Sequence, residues 1–456
     1  MRKVHLLLLM FFCLHKYESS LAQHPHGQGE HHAHEEHDMD AIPSFLSKNL
    51  PMTVNGSGTA WHPINSPMYM NYARTGEWNM MLHYGIFPAY TFQNPHNPDF
   101  RGTNEFFMPT WIMAMGSREI GKKGLLSIRG MFSADPLIMG GSGYPLLYQT
   151  GETHQNIPLI DRQHPHDLFS ELAIAYSHAF TDEIDAYVYL GYPGEPAIGP
   201  PAFMHRPSGL NIPDSPLGHH WQDATHIIYG VATTGFRYKR LRIEGSWFTG
   251  REPGEDRLWF DEPRFDSYSG RVNYLLGNSL ALQASYSYLH SPEVHEPERD
   301  VNRLTASVLH NTWLNEETVL SSSLVYGLNR SWDRAVPDEI LPSNSFLLES
   351  ALQMKRFNVF ARAELLQKSF HELGIGENGH HDDNGHNDHH FDEYENIWIG
   401  AIKPGASVYL LKNRYFWLDA GFTLTLHRTS SDLIPYYGAQ NTMAYQIFLR
   451  MIPPRM

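Results

Sequence analysis

The sequence predicts an all-β fold: a single closed antiparallel transmembrane β-barrel of about 16 strands, within a range of about 14 to 18. Three observations carry this expectation. From about residue 79 onward, segments of ten to thirteen residues alternate apolar side chains with small or polar ones, the period of a strand with one apolar face. The connections between these segments alternate between short and long, as they do in hairpins strung around a barrel. Beyond residue 22 no stretch of 18 or more mainly apolar residues occurs. Transmembrane helices are therefore excluded, whereas strands that face lipid with every second side chain are not.

Taken in chain order, residues 1 to 22 read as a secretory signal: Arg2 and Lys3, an apolar run from Val4 to Leu14, then Ser20-Leu21-Ala22, with cleavage expected near Ala22. Residues 23 to 74 are expected to be a flexible, disordered His-rich periplasmic leader containing a segment able to plug a barrel, and residues 75 to 456 the barrel itself. Strands are expected near 79–90, 105–116, 123–133, 168–180, 183–193, 225–237, 240–250 and 268–276. They continue near 279–290, 302–313, 318–329, 345–355, 357–368, 396–410, 414–427 and 441–451. The pattern is especially clean at 414–427, where Phe416, Leu418, Ala420, Phe422, Leu424 and Leu426 oppose Tyr415, Trp417, Asp419, Gly421, Thr423 and Thr425. Short turns such as Thr181-Asp182 and Gly277-Asn278 belong at the periplasmic end. The long loops, chiefly 134–167, 194–224 and 369–395, belong outside the cell.

Charge narrows the function classes. Lys plus Arg total 34 against 49 Asp plus Glu, a formal net charge of -15, which argues against a nucleic-acid partner. The single cysteine, Cys13, falls in the signal, so disulfides, Cys-ligated metals and thiol catalysis drop out of the mature chain. If the apolar faces meet lipid, the opposite faces carry Glu171, Asp185, Arg242, Glu244, Arg271, Arg303, Arg362, Glu364, Asp419 and Arg450 into the lumen. Both signs occur there, so ion-pair ladders are expected rather than a pore selective for one sign.

With its signal, its alternation and its loop rhythm over residues 75 to 451, the chain resembles the Gram-negative outer-membrane β-barrels of porin-like size. The resemblance implies a place in the cell outer membrane, in contact with its lipid. Tyr and Trp near strand ends (Tyr189, Tyr192, Trp247, Tyr286, Tyr288, Trp398 and Trp417) fit an aromatic belt. One departure is the C-terminus, where such barrels end on an aromatic residue but Phe448 is followed by Leu-Arg-Met-Ile-Pro-Pro-Arg-Met. A soluble secreted β-sandwich or propeller is the alternative.

Histidine carries the chemistry, with 29 residues unevenly spread. One tract holds His24, His26, His31, His32, His34 and His37 among acids. A second holds His371, His380, His381, His386, His389 and His390, likewise among acids. Neutral imidazole beside carboxylate suits copper or zinc. A further constellation leads into two strands: His164, His166 and Asp167 before the fourth, and His219, His220, Asp223 and His226 before the sixth. Second-neighbour strands stand roughly 10 Å apart, so the two segments can meet. The proline-rich stretch between them, ending at Met204-His205-Arg206, should hold one shape and fold inward. Two readings stay open for these residues: hydrogen-bonded anchors pinning loops to the rim, or a transition-metal site. Met80-Met81, Met113 and Met115 read as lipid or core filling.

The order of signal, His-rich leader and barrel also resembles the copper-resistance outer-membrane proteins of the B type. That resemblance implies passage or sequestration of metal ions and periplasmic metal-efflux components as partners. The leader's single methionine, Met39, departs from a cuprous-copper reading. Gly374-Ile-Gly376-Glu-Asn-Gly379 has the spacing of a dinucleotide loop but lacks the following helix. The expected function is therefore a non-enzymatic outer-membrane barrel that binds and passes or sequesters copper or zinc. A general or structural porin is the first alternative, and an outer-membrane hydrolase the second.

Overall fold

A computed structural model describes residues 42–376 and 394–456. The predicted signal, the leader histidines His24, His26, His31, His32, His34 and His37, and loop histidines His380, His381, His386, His389 and His390 lie outside the described residues.

The chain forms a closed antiparallel barrel of 16 strands. In order they are β1 (Trp78–Ile86, continued by Ala89–Gln93), β2 (Asn104–Phe107, continued by Thr110–Ile120), β3 (Gly124–Phe132) and β4 (Phe169–Ala179). Next come β5 (Ile184–Gly191), β6 (Val231–Tyr238), β7 (Leu241–Phe248), β8 (Ser267–Leu276), β9 (Leu280–Leu289) and β10 (Arg299–Asn315). The circuit is completed by β11 (Thr318–Asp333), β12 (Leu341–Gln353), β13 (Phe357–Ser369), β14 (Asn396–Lys412), β15 (Trp417–Arg428) and β16 (Asn441–Ile452). β16 closes on the second part of β1, with Tyr445 opposite Phe92. A short strand, Asn71–Thr75, covers the first part of β1 at the same seam.

Every expected strand is present, with local differences that have physical causes. Pro88 and Pro109 lack a ladder donor, and each splits its strand in two. The strand expected from residue 225 begins at Val231, because Ala224–His226 winds into a 3-10 turn. The loop expected over 134–167 contains a hairpin, Tyr144–His154 paired with Ile157–Gln163. Tyr189, expected at the aromatic belt, instead faces inward and donates to Glu171.

Alternation does what the sequence requires of it. Ile243, Val272, Leu348, Val359 and Phe422 are exposed on the outer surface, an apolar wall suited to lipid. The ten charged residues assigned to the lumen are all buried. Register sets Asp185 opposite Arg237, Glu244 opposite Arg271, Glu349 opposite Arg362 and Asp419 opposite Arg450. The matching ion pairs are 2.6, 2.8, 2.9 and 2.7 Å. A buried charge without a partner costs several kcal/mol, so these ladders are what allow arginine in the interior.

Two chain segments fill the lumen. Residues 42–70 enter it: Ser47 donates to Asp185 at 2.6 Å, Arg271 donates to Thr59 at 2.6 Å, and Arg242 lies over the Trp61 ring. The loop between β5 and β6 folds inward as its prolines suggest, and Arg206, Asn211 and Asp214 within it are fully buried. Wall arginines fix it, since Arg362 donates to the Asp214 carbonyl at 3.0 Å and Arg450 to the Leu210 carbonyl at 3.1 Å.

Candidate functional site

The two histidine segments meet inside the barrel at its long-loop end. His219 and His220 lie on a single helical turn, His219–Gln222, seated against the inner wall. Ring centroids run 5.8 Å from His220 to His164, 6.4 Å from His164 to His219, 5.2 Å from His219 to His226 and 5.4 Å from His226 to His166. This places five imidazoles in one continuous file. Phe203 packs against His219 at 5.3 Å, and two residues on His205 lies 4.8 Å from Trp111 and 6.0 Å from His83.

The nitrogens of this file are arranged in a common way. His226 Nδ1 lies 2.8 Å from the Asp223 carbonyl, which can only accept, so Nδ1 carries the proton and Nε2 the lone pair. His164 Nδ1 likewise faces the Pro165 carbonyl at 3.1 Å and Glu152 at 3.3 Å. His166 Nδ1 is 2.9 Å from Asp135, and His219 Nδ1 is 2.7 Å from Asp223. Nε2 of His164 and of His226 is buried with no hydrogen-bond partner among the described residues. An Nδ1 held by an oxygen acceptor, with Nε2 left as a donor pair, is how histidines are oriented as metal ligands.

Burial disfavours the charged form of His164, His226 and the neighbouring His205. Burial, reinforced by His220, holds His164 well below the ordinary imidazole range. Burial together with His219 and His166 brings His226 down to about 3. His205 is held well below by burial and His83.

His220 differs from the others. Its ring is buried, neither nitrogen has a hydrogen-bond partner among the described residues, and ligand atoms of His220, Glu252 and Glu293 all lie within 4.8 Å of one another. Glu252 Oε1 is 3.7 Å from His220 Nδ1, and this oxygen and Glu293 Oε2 have no hydrogen-bond partner among the described residues. Burial and the nearby Glu252 charge push the Glu293 carboxyl up. Burial opposes ionisation of Glu252 too, but His220 prevails and holds it down. The group lies beside a cavity of about 490 Å³ at the long-loop end, lined among others by Glu152, His220, Glu293, Arg303 and Lys368. One imidazole and two carboxylates around an open position form a donor set for a divalent ion of the zinc or copper type.

Two of the predicted residues have other partners. Asp167 accepts from Arg257 at 3.2 Å, and Asp223 accepts from Arg206 at 2.6 Å while orienting His219. They position their neighbours. Glu252 and Glu293 were missed, because each lies in a different loop from the histidines and belongs to no motif. One proline beside each, Pro253 after Glu252 and Pro292 before Glu293, was the only local sign of a fixed backbone.

No protein-family model and no curated relative matches the chain. Among solved structures, an anion-selective porin from Comamonas acidovorans is similar over 82% of this chain and 100% of its own, at 12% identity and a TM-score of 0.48. Salmonella typhi OmpF, in complex with daunomycin, is similar over 83% and 100%, at 11% identity and a TM-score of 0.47. OmpT, an outer membrane protein of Vibrio cholerae, is similar over 84% and 99%, at 8% identity and a TM-score of 0.44.

Proposed function

We propose that this chain is an outer-membrane barrel that binds copper or zinc ions in its lumen and passes or sequesters them. The observation that carries the reading is the file of five imidazoles leading from the His220, Glu252 and Glu293 group, in which nitrogens and carboxylate oxygens without hydrogen-bond partners among the described residues converge within 4.8 Å of one another. Leaving such groups unpaired costs about 1–3 kcal/mol each, a cost that a bound cation removes. The apolar outer wall supports lipid as its surroundings, and the packed lumen supports stepwise ligand exchange over free diffusion. Periplasmic metal-efflux components are the partners this reading implies.

The test is zinc and copper(II) titration of the full-length protein in detergent, compared with the double variant His220→Ala/Glu252→Gln. The wild type should take up one saturable equivalent more than the variant. Equal uptake by both would remove the lumen site and leave a general or structural porin.

A further inference from the structure

A second group of metal-type side chains lies deeper in the lumen, toward the short turns. β1 and β2 pair so that Met81 stands opposite Met115 and His83 opposite Met113, and β3 adds Met131 opposite Met113. Directly opposed residues in an antiparallel pair have Cβ atoms about 4.5–5.5 Å apart, so these side chains form one inward patch. Met81, Met113 and Met115 are buried. Facing them are His205 from the inward loop, 6.0 Å ring to ring from His83, and His62, Met68 and Met70 from the segment 42–70.

Apart from Met131, these groups line a cavity of about 40 Å³. That is room for one ion, since a single water needs at least about 10–15 Å³ measured this way. His62 is buried and its Nε2 has no hydrogen-bond partner among the described residues. Among the described residues, no Asp or Glu lines the cavity. Methionine often serves as core filling, but filling does not call for three imidazoles, one of them buried, converging on the same small space. The composition is thioether plus neutral imidazole without a carboxylate. Such a set is poor for a divalent cation, whose charge it leaves uncompensated, and suited to a soft monovalent one.

We infer that the cavity bounded by Met81, Met113, Met115, His62, His83 and His205 is a binding site for a soft monovalent metal ion, Cu(I) or its surrogate Ag(I). It shares no ligand with the His220, Glu252 and Glu293 group, so each site stands or falls separately. It also assigns a role to methionines that the sequence alone marks as filling.

The experiment loads full-length protein in detergent, without oxygen, with Cu(I) or Ag(I), alongside the variant Met81→Leu/Met113→Leu/Met115→Leu. Leucine nearly conserves methionine's volume, so the wall keeps its packing. The variant should hold one equivalent fewer of Ag(I) while its zinc uptake is unchanged, and zinc should not displace that equivalent from the wild type. The copper absorption edge of Cu(I)-loaded wild type should show sulfur neighbours, a readout that does not depend on the variant folding. Equal Ag(I) uptake by the two proteins, or a Cu(I) spectrum with nitrogen and oxygen neighbours alone, would overturn the inference.

Discussion

Arg206 holds the inward loop to the barrel wall, and replacing it with methionine should release that loop. The guanidinium is fully buried and donates to Asp223 at 2.6 Å, to Glu349 on β12 at 3.1 Å and to the Pro201 carbonyl at 3.2 Å. Removing one partner from a buried ion pair costs about 3–5 kcal/mol. Glu349 keeps Arg362 at 2.9 Å, so it is not stranded, while Asp223 keeps only the neutral His219 at 2.7 Å. The lower end applies: about 3 kcal/mol, or on the order of 100-fold in the loop's opening equilibrium. Limited proteolysis in detergent reads this directly, because cleavage through local opening tracks the open population. Cleavage between residues 192 and 230 should accelerate by about that factor while the barrel's urea midpoint moves little. A variant as resistant as the wild type would refute the assignment of Arg206 as the anchor.

Other predictions follow from the same geometry. A methyl group on Gly327 of β11 would collide with the Trp221 backbone carbonyl, so Gly327→Ala should shift the turn bearing His219 and His220. Zinc affinity should fall about tenfold with every ligand intact, measured by calorimetry. Val272→Arg, on the exposed middle of β8, should cost about 2–4 kcal/mol when folding into lipid vesicles is followed by urea titration. A neutral result there would mean that this face does not meet lipid. Because burial and Glu252 raise the Glu293 pKa, the carboxyl holds a proton that an incoming cation must displace. Zinc affinity should therefore fall as pH is lowered, with proton release visible as buffer-dependent binding enthalpy, and Glu293→Gln should flatten that dependence.

The wall was legible because an apolar outer face on one side and a packed lumen on the other impose a period of two. The same parity placed Arg271, Arg362, Asp419 and Arg450 inside, where the structure has them. Residues 144–150 were not legible as strand, because they are buried throughout and show no alternation. Tyr189 has the residue type of a belt position but the parity of the lumen, and parity decided. For the mouth, the meeting of His164 and His166 with His219, His220 and His226 followed from strand neighbourhood alone. Glu252 and Glu293 did not, since a site assembled from separate loops leaves no spacing to read. Met113 and Met115 share parity with Trp111 and so point inward. Only the chain folded into the lumen, which brings His62 and His205, turns them from filling into candidate ligands.

The account rests on a cation held between imidazole and carboxylates inside the barrel. Crystals of the full-length protein soaked in zinc, with anomalous data collected on both sides of the zinc edge, test this most directly. The account predicts a peak within coordination distance of His220, Glu252 and Glu293, absent below the edge. Well-ordered density for those three side chains with no anomalous peak among them would contradict it.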